Sequence, residues 1–359
     1  MESANGPIEQ LTVPAVFTHM QASFESARSR RPDGFRESYY SIASQSVCLR
    51  LVGGRLSEHI SRPFAHLQTH ALPSATPQLT VDLWDEEATG IPCPIEPVPK
   101  HLGPRALITA SPDSRFVGYQ RQQTVTWFDR VTTHIIGWVA SSDRLSLSER
   151  GKPLLFALSL WQTDEGGQVI HAGLVSRNGQ GVLFAGSGGA GKSTSALACV
   201  CAGFDYLGDD YIGLRTAADG SFVGHSLYNS SHLEPNHLER FPVLIPHAIQ
   251  GPPPEQDKVL ILLSQIFPMQ LERGVPIRAM ALPRVTDRAA SRIRPASKGD
   301  AFLALAPSSI LILPRHRPRG VKTLRRLVEQ VPTYWLELGP DIGKIPCRVE
   351  ELLAEATRA

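Results

Sequence analysis

The chain is poor in cysteine: it has five in 359 residues, at Cys48, Cys93, Cys199, Cys201 and Cys347. Their number is odd, their spacing is wide and no CxxC pair occurs. That argues against a disulfide framework and a paired-cysteine zinc site, and free thiols fit a reducing cytosol. Charge of one sign is lacking too. Lys and Arg total 36 against 34 Asp and Glu, a formal net of +2. A protein built mainly to grip nucleic acid needs a stronger basic field. No charge-free apolar run reaches about 18 residues, so no transmembrane helix is expected. The opening MESANGPIEQ is polar and acidic, unlike a signal peptide. No internal repeat is visible. These absences leave a cytoplasmic chain with neither membrane nor nucleic acid as expected partner.

What is present suits a folded protein of about two domains. Hydrophobic residues make up 42% and charged residues 19%, enough apolar material for a sizeable core. Residues 1 to about 35 read as a loosely ordered lead with one amphipathic segment, ending in Arg28, Arg30, Arg31 and Arg36. SVCLRLV and QLTVDLW read as strands flanking a helix, LSEHISRPFAHLQTH. Residues 86–114 are rich in Pro and Gly and read as a linker. The resulting division is an α+β N-terminal domain with its linker (1–114), a strand-rich connection (115–150) and a second domain (151–359). Strands are expected at 116–119, 124–128 and 132–139, and an apolar helix at 152–161.

The second domain carries the chemistry. Two strand-like runs, 169–175 and 182–185, flank Asn178-Gly179, a strong signal for a two-residue hairpin turn. Then follow Gly186, Ser187, Gly188, Gly189, Ala190, Gly191, Lys192, Ser193 and Thr194. Gly186–Ser193 fits the G-x-x-x-x-G-K-[ST] phosphate loop (Walker A), placed after a strand and before a helix as its mechanism demands. Glycines let backbone N–H groups close around phosphate oxygens, and the helix N-terminus adds partial positive charge. In such loops the lysine, here Lys192, reaches the β- and γ-phosphates, and the hydroxyl, here of Ser193, faces Mg²⁺. The helix from Lys192 to about Ala202 is capped by Gly203.

Asp209 and Asp210 end the next short strand, 17 and 18 residues past Lys192. A right-handed crossover lays that strand parallel to the loop strand, so both carboxylates reach the phosphate edge of the sheet. One can hold the metal; the other can accept a proton from an attacking hydroxyl. Carrying the hairpin register backward places His171 opposite Gly186. An imidazole there could contact a phosphate or orient a catalytic aspartate.

This combination resembles the catalytic domain of HPr kinase/phosphorylase and its related proteins. That family has a histidine 15 residues before the first loop glycine, as His171 stands to Gly186. It also has paired aspartates after the loop helix, matched by Asp209 and Asp210. The match covers roughly residues 169–211. The resemblance implies an α/β P-loop kinase domain of the HPr-kinase type behind a smaller α+β N-terminal domain. It implies a serine kinase using ATP and Mg²⁺, with a peptide or small protein as phosphoacceptor. By motif position Lys192 binds phosphate, Ser193 ligates Mg²⁺, Asp209 acts as base and Asp210 assists at the metal. Stand-alone relatives in peptide natural-product clusters, including lasso-peptide clusters, phosphorylate a precursor peptide. The stretch VPTYWLELGPDIGKIPCRVEELL is more similar to those. Hexamers occur in the HPr kinase family, which leaves a homo-oligomer open. The family's later Glu-Ile-Arg-Gly segment has no clear equivalent here.

Other readings keep the same loop: a regulatory module that binds ATP without transfer, and a small-molecule kinase. A transporter-type ATPase lacks its LSGGQ-like signature. Lys258 and Arg284 read as strand-edge cations. His232, Glu234, His237 and Glu239 do not match a metal-ligand spacing, and Pro235 interrupts any shared helix. Residues 315–326 read as a solvated basic helix face.

Overall fold

The computed structural model describes residues 12–69, 76–96, 106–251, 257–311 and 317–358. The chain is mixed α/β, with several sheets. It forms two compact units: Met1–Ser38, Cys48–Ser57 and Pro77–Arg144 in one, Tyr39–Val47, Glu58–Thr76 and Leu145–Ala359 in the other. Among the described residues no helix is long and apolar enough to cross a membrane.

In the first unit the amphipathic segment expected within the lead is an 18-residue helix, Val13–Arg30, while residues 1–11 lie outside the described residues. Its buried Phe17, Met20, Phe24 and Ala27 recur at spacings of three and four, one face of a helix. That face packs on Trp84, Trp127 and Trp138. Arg28 and Arg30 occupy the last turn, where cations suit the helix dipole. Leu79–Asp85 runs parallel to His134–Val139. Thr124–Asp129, Phe116–Gln120 and Leu107–Ala110 continue outward as an antiparallel meander. The strands expected at 116–139 are thus members of this unit's sheet. The linker reading misses Leu107–Ala110; residues 97–105 lie outside the described residues.

The second unit is built on a sheet buried on both faces. The Asn178-Gly179 turn takes positive φ at both residues, 53° and 72°, the type I′ geometry that matches strand twist. The hairpin Gly173–Arg177/Gln180–Phe184 pairs from Arg177↔Gln180 to Gly173↔Phe184, as expected. On the hairpin's outer side Asp205–Gly208 pairs antiparallel with Gly173–Arg177. It therefore runs parallel to the loop strand Gln180–Phe184, with one strand between them. On the other side Gly274–Val285 pairs parallel with Gln180–Phe184. Thr333–Leu338 pairs parallel with Gly274–Val285, and Arg292–Pro295 pairs antiparallel with Thr333–Leu338.

Strand alternation divides the apolar residues into two cores. Val182, Phe184, Ala279, Ala281 and Leu336 join Ala196, Val200, Val349 and Leu352 of helices Lys192–Cys201 and Ile345–Arg358. Leu183, Ala185, Met280 and Leu282 join Ala301, Leu305, Leu324 and Leu327 of helices Lys298–Leu311 and Arg317–Gln330. The phosphate loop thus leaves a strand clamped on both faces, and Gly203 at φ 89° closes the helix that follows.

Phe184 is fully buried two residues before the loop. Phe184→Ala is expected to lower stability by about 3–5 kcal/mol. Thermal unfolding followed by circular dichroism checks this; an unchanged Tm would show that the sheet's inner face contributes little.

Candidate active site

The loop, the aspartates and His171 line one cleft of about 850 Å³ in the second unit. Gly189 and Gly191 take left-handed φ of 75° and 104°, a region that favours glycine over residues with a Cβ. A Cβ on Gly191 would also sit 2.5 Å from Leu338 Cδ1. Lys192 is only 7% exposed. Its ammonium donates to the carbonyls of Gly186 (2.8 Å) and Ser187 (3.1 Å). Burial lowers its pKa, against the opposing pull of Asp210 and Asp209.

The two aspartates have separate donors. Asp209 is 2% exposed. Ser231 Oγ–H donates to its Oδ2 at 2.6 Å, and Tyr206 Oη lies 3.2 Å from its Oδ1. The Ser193 side chain lies near enough to lower its pKa as well. Burial, then the charge of Asp210, pushes the Asp209 carboxyl up to about 6. Asp210 keeps 26% of its side chain exposed. His171 Nε2 lies 2.7 Å from its Oδ1, and Lys152 forms an ion pair with Oδ2. Burial raises the Asp210 pKa, but hydrogen bonding and charge from His171 and Lys152 outweigh it and hold the carboxyl well below the usual carboxylate range.

His171 reaches the site by a different route from the expected register. The hairpin pairing stops at Gly173↔Phe184, so His171 does not oppose Gly186. The chain steps out at Ala172, and Gln168–His171 pairs with Tyr211–Thr216, Tyr211 opposite His171. Because Tyr211 directly follows the aspartates, that pairing delivers the imidazole to Asp210. His171 also stacks on Tyr211, with ring centroids 5.1 Å apart.

Lys152 was not singled out by sequence reasoning. The helix expected from Lys152 starts three residues later, at Leu155. Helix Leu147–Gly151, closed by a Ser146/Glu149 capping box, ends with Lys152 as its cap. The next helix, Leu155–Asp164, starts only after Leu154 at φ 59°. Lys152 thus stands at a break, 58 residues from Asp210 in sequence. His232, Glu234, His237, Arg240 and Lys258 line the same cleft. They supply a wall of polar groups rather than a metal cage: among the described residues no three His, Cys, Asp or Glu side chains converge to hold a metal. His232 is pushed down to about 4, first by burial and then by Lys152. Its Nε2 lies 3.2 Å from the Leu147 carbonyl. Arg284 is no lone strand-edge cation: it pairs with Glu337.

The family model of SynChlorMet cassette protein ScmC matches residues 152–241, a stretch that holds the loop, His171 and both aspartates. The chain is also similar to the solved structure of the Hpr(Ser) kinase/phosphatase from Coxiella burnetii. Identity there is 13%, with 53% of this chain and 97% of that chain covered and a TM-score of 0.29. No curated protein matches.

The Asp209 environment gives a stability prediction. Its folded pKa lies above that of an unfolded aspartate, so ionised Asp209 penalises the fold above pH ~6, and the penalty fades as the pH falls toward ~4. Asp209→Asn removes the charge and keeps the shape. Its Tm is expected to equal or exceed wild type at pH 7.5, with the difference shrinking at pH 5. A variant clearly less stable than wild type at pH 7.5 would contradict the buried-charge account.

Proposed function

We propose that this chain is an ATP- and Mg²⁺-dependent kinase that transfers the γ-phosphoryl group to a serine hydroxyl of a peptide or small protein. The observation that carries this is the meeting, in one cleft, of Lys192 and Ser193 on the loop with Asp209, His171 and Asp210, the last paired with His171 and Lys152.

The residues present fit both groups. A Cβ on Gly188 or Gly189 would meet nothing within 4 Å, so the loop leaves room for phosphate oxygens against its N–H groups. Lys192 can exchange its two loop carbonyls for phosphate oxygens. Ser193 and Asp209 offer two hard oxygens to the same cleft, and Mg²⁺ in such sites needs only one or two protein ligands besides phosphate and water. Bound there, Mg²⁺ would neutralise charge on the phosphate oxygens.

This reading exchanges the roles that motif position gave the aspartates. Asp209 is the more deeply buried of the two and serves the metal side. Asp210 faces the cleft and serves the acceptor. It accepts the serine proton as the new O–P bond forms and the bond from the γ-phosphorus to ADP breaks. His171 and Lys152 keep Asp210 ionised and aimed. A strong base is unnecessary, because a loose phosphoryl-transfer transition state depends mainly on positioning and charge.

The test is γ-labelled ATP with Mg²⁺, purified chain, a cytosolic extract of the source organism and a panel of serine peptides. Label on serine is expected, falling roughly a hundredfold or more in Lys192→Ala. ATP bound with no label on any acceptor would contradict transfer and favour the regulatory module.

A further inference from the structure

Four arginines converge on one carboxylate toward the border of the cleft's sheet; one of them, Arg288, also lines the cleft. Glu337 is 2% exposed. Arg292 Nε lies 2.6 Å, Arg294 Nε 3.0 Å and Arg288 Nε 3.2 Å from its oxygens, and Arg284 is paired with it as well. The arginine side chains stay 41–53% exposed. Arg284 and Arg294 stack on Trp335, 4.6 and 5.6 Å from its ring centroid. Opposing charge is limited: Asp300 lies within electrostatic reach of Arg294, and Asp287 precedes Arg288 on a loop that lines the cleft. Cation charge therefore remains in surplus.

The register shows what such a patch can hold. Glu337 on the middle strand faces Arg284 on one neighbour and Arg292 on the other. The focal point where a lone phosphate would sit is thus already filled by Glu337. Each guanidinium has five donors, of which Glu337 takes only part. The free donors come from the two strands that flank Thr333–Leu338 and from the loop that joins them, about 10 Å across at ~4.8 Å per strand. That spread suits several carboxylates along an extended chain better than one small anion. Among the described residues Arg292–Pro295 pairs only with Thr333–Leu338, which leaves the patch at the border of the sheet.

We infer that this arginine face docks an acidic segment of the peptide that the kinase phosphorylates, outside the transfer site itself. The occupant's identity rests on the peptide-acceptor reading above. The topology adds a length. From the aspartate strand to Gly274–Val285 is three strand spacings and to Arg292–Pro295 five, about 14 and 24 Å. At ~3.4 Å per extended residue, the acidic segment lies roughly four to seven residues from the acceptor serine.

The test is fluorescence anisotropy at matched ionic strength with three labelled peptides, each carrying alanine in place of the acceptor serine. One has a run of Glu at the inferred distance, one has Gln in its place, one has Lys. No transfer is needed, so the outcome is separate from that of the kinase assay. The Glu peptide is expected to bind at least tenfold more tightly than the Gln or Lys peptide. Arg292→Gln/Arg294→Gln is expected to erase that preference while the MgATP-induced rise in Tm stays unchanged. If the double variant does not fold, Arg292→Gln, which leaves three guanidinium groups on Glu337, is expected to weaken the preference severalfold. Equal binding of Glu and Gln peptides, or variants that keep the full preference, would overturn the inference. So would displacement of the Glu peptide by inorganic phosphate but not by chloride, which would mark a phosphate site.

Discussion

The site depends on keeping two adjacent carboxylates charged and apart at the end of one short strand. Neighbouring like charges raise each other's pKa, and burial adds to the effect. The fold answers with two different environments. Asp209 takes hydroxyl donors from Ser231 and Tyr206 and is pushed up to about 6. Asp210 pairs with His171 and Lys152 and stays ionised. Two identical side chains thereby acquire different chemistry, the pattern by which environment assigns roles to paired titratable groups.

The doubly buried sheet makes that division possible. Its strands carry apolar residues to both faces, so they are clamped by helices on each side. Rigid strands bring the loop, the aspartates and the end of Gly274–Val285 to one sheet edge, where open α/β sheets bind ligands. The same strands bring four arginines onto Glu337 at the border of the sheet. On the two proposals above, phosphate chemistry and acidic-segment docking share one scaffold, with Arg288 lining the cleft and Arg292–Pro295 five strand spacings from the aspartate strand.

The parts of the site legible in the sequence are those fixed by local chemistry. Asn178-Gly179 sets the hairpin register because only residues tolerant of positive φ make that turn. Gly186–Ser193 sets the loop for the same kind of reason. The apolar spacing of Phe17, Met20, Phe24 and Ala27 carried the amphipathic segment of the lead. The illegible parts depend on pairing between distant segments. The exit of the chain at Ala172 comes from competition between two partner strands, Gln180–Phe184 and Tyr211–Thr216, and no local residue announces the winner. Lys152 was hidden by a helix reading that Leu154 interrupts. The Glu337 cluster draws on three strands, and single arginines scattered through the sequence look like ordinary solvated cations.

The division of labour between the aspartates is tested most directly by isothermal titration of ATP, with and without Mg²⁺, into Asp209→Asn and Asp210→Asn. The account predicts that Asp209→Asn loses the gain in ATP affinity that Mg²⁺ confers, by about tenfold or more. Asp210→Asn is predicted to bind MgATP nearly as wild type does, while its transfer of label to serine collapses. Loss of the Mg²⁺ effect in Asp210→Asn, with its retention in Asp209→Asn, would contradict the account and return the metal side to Asp210.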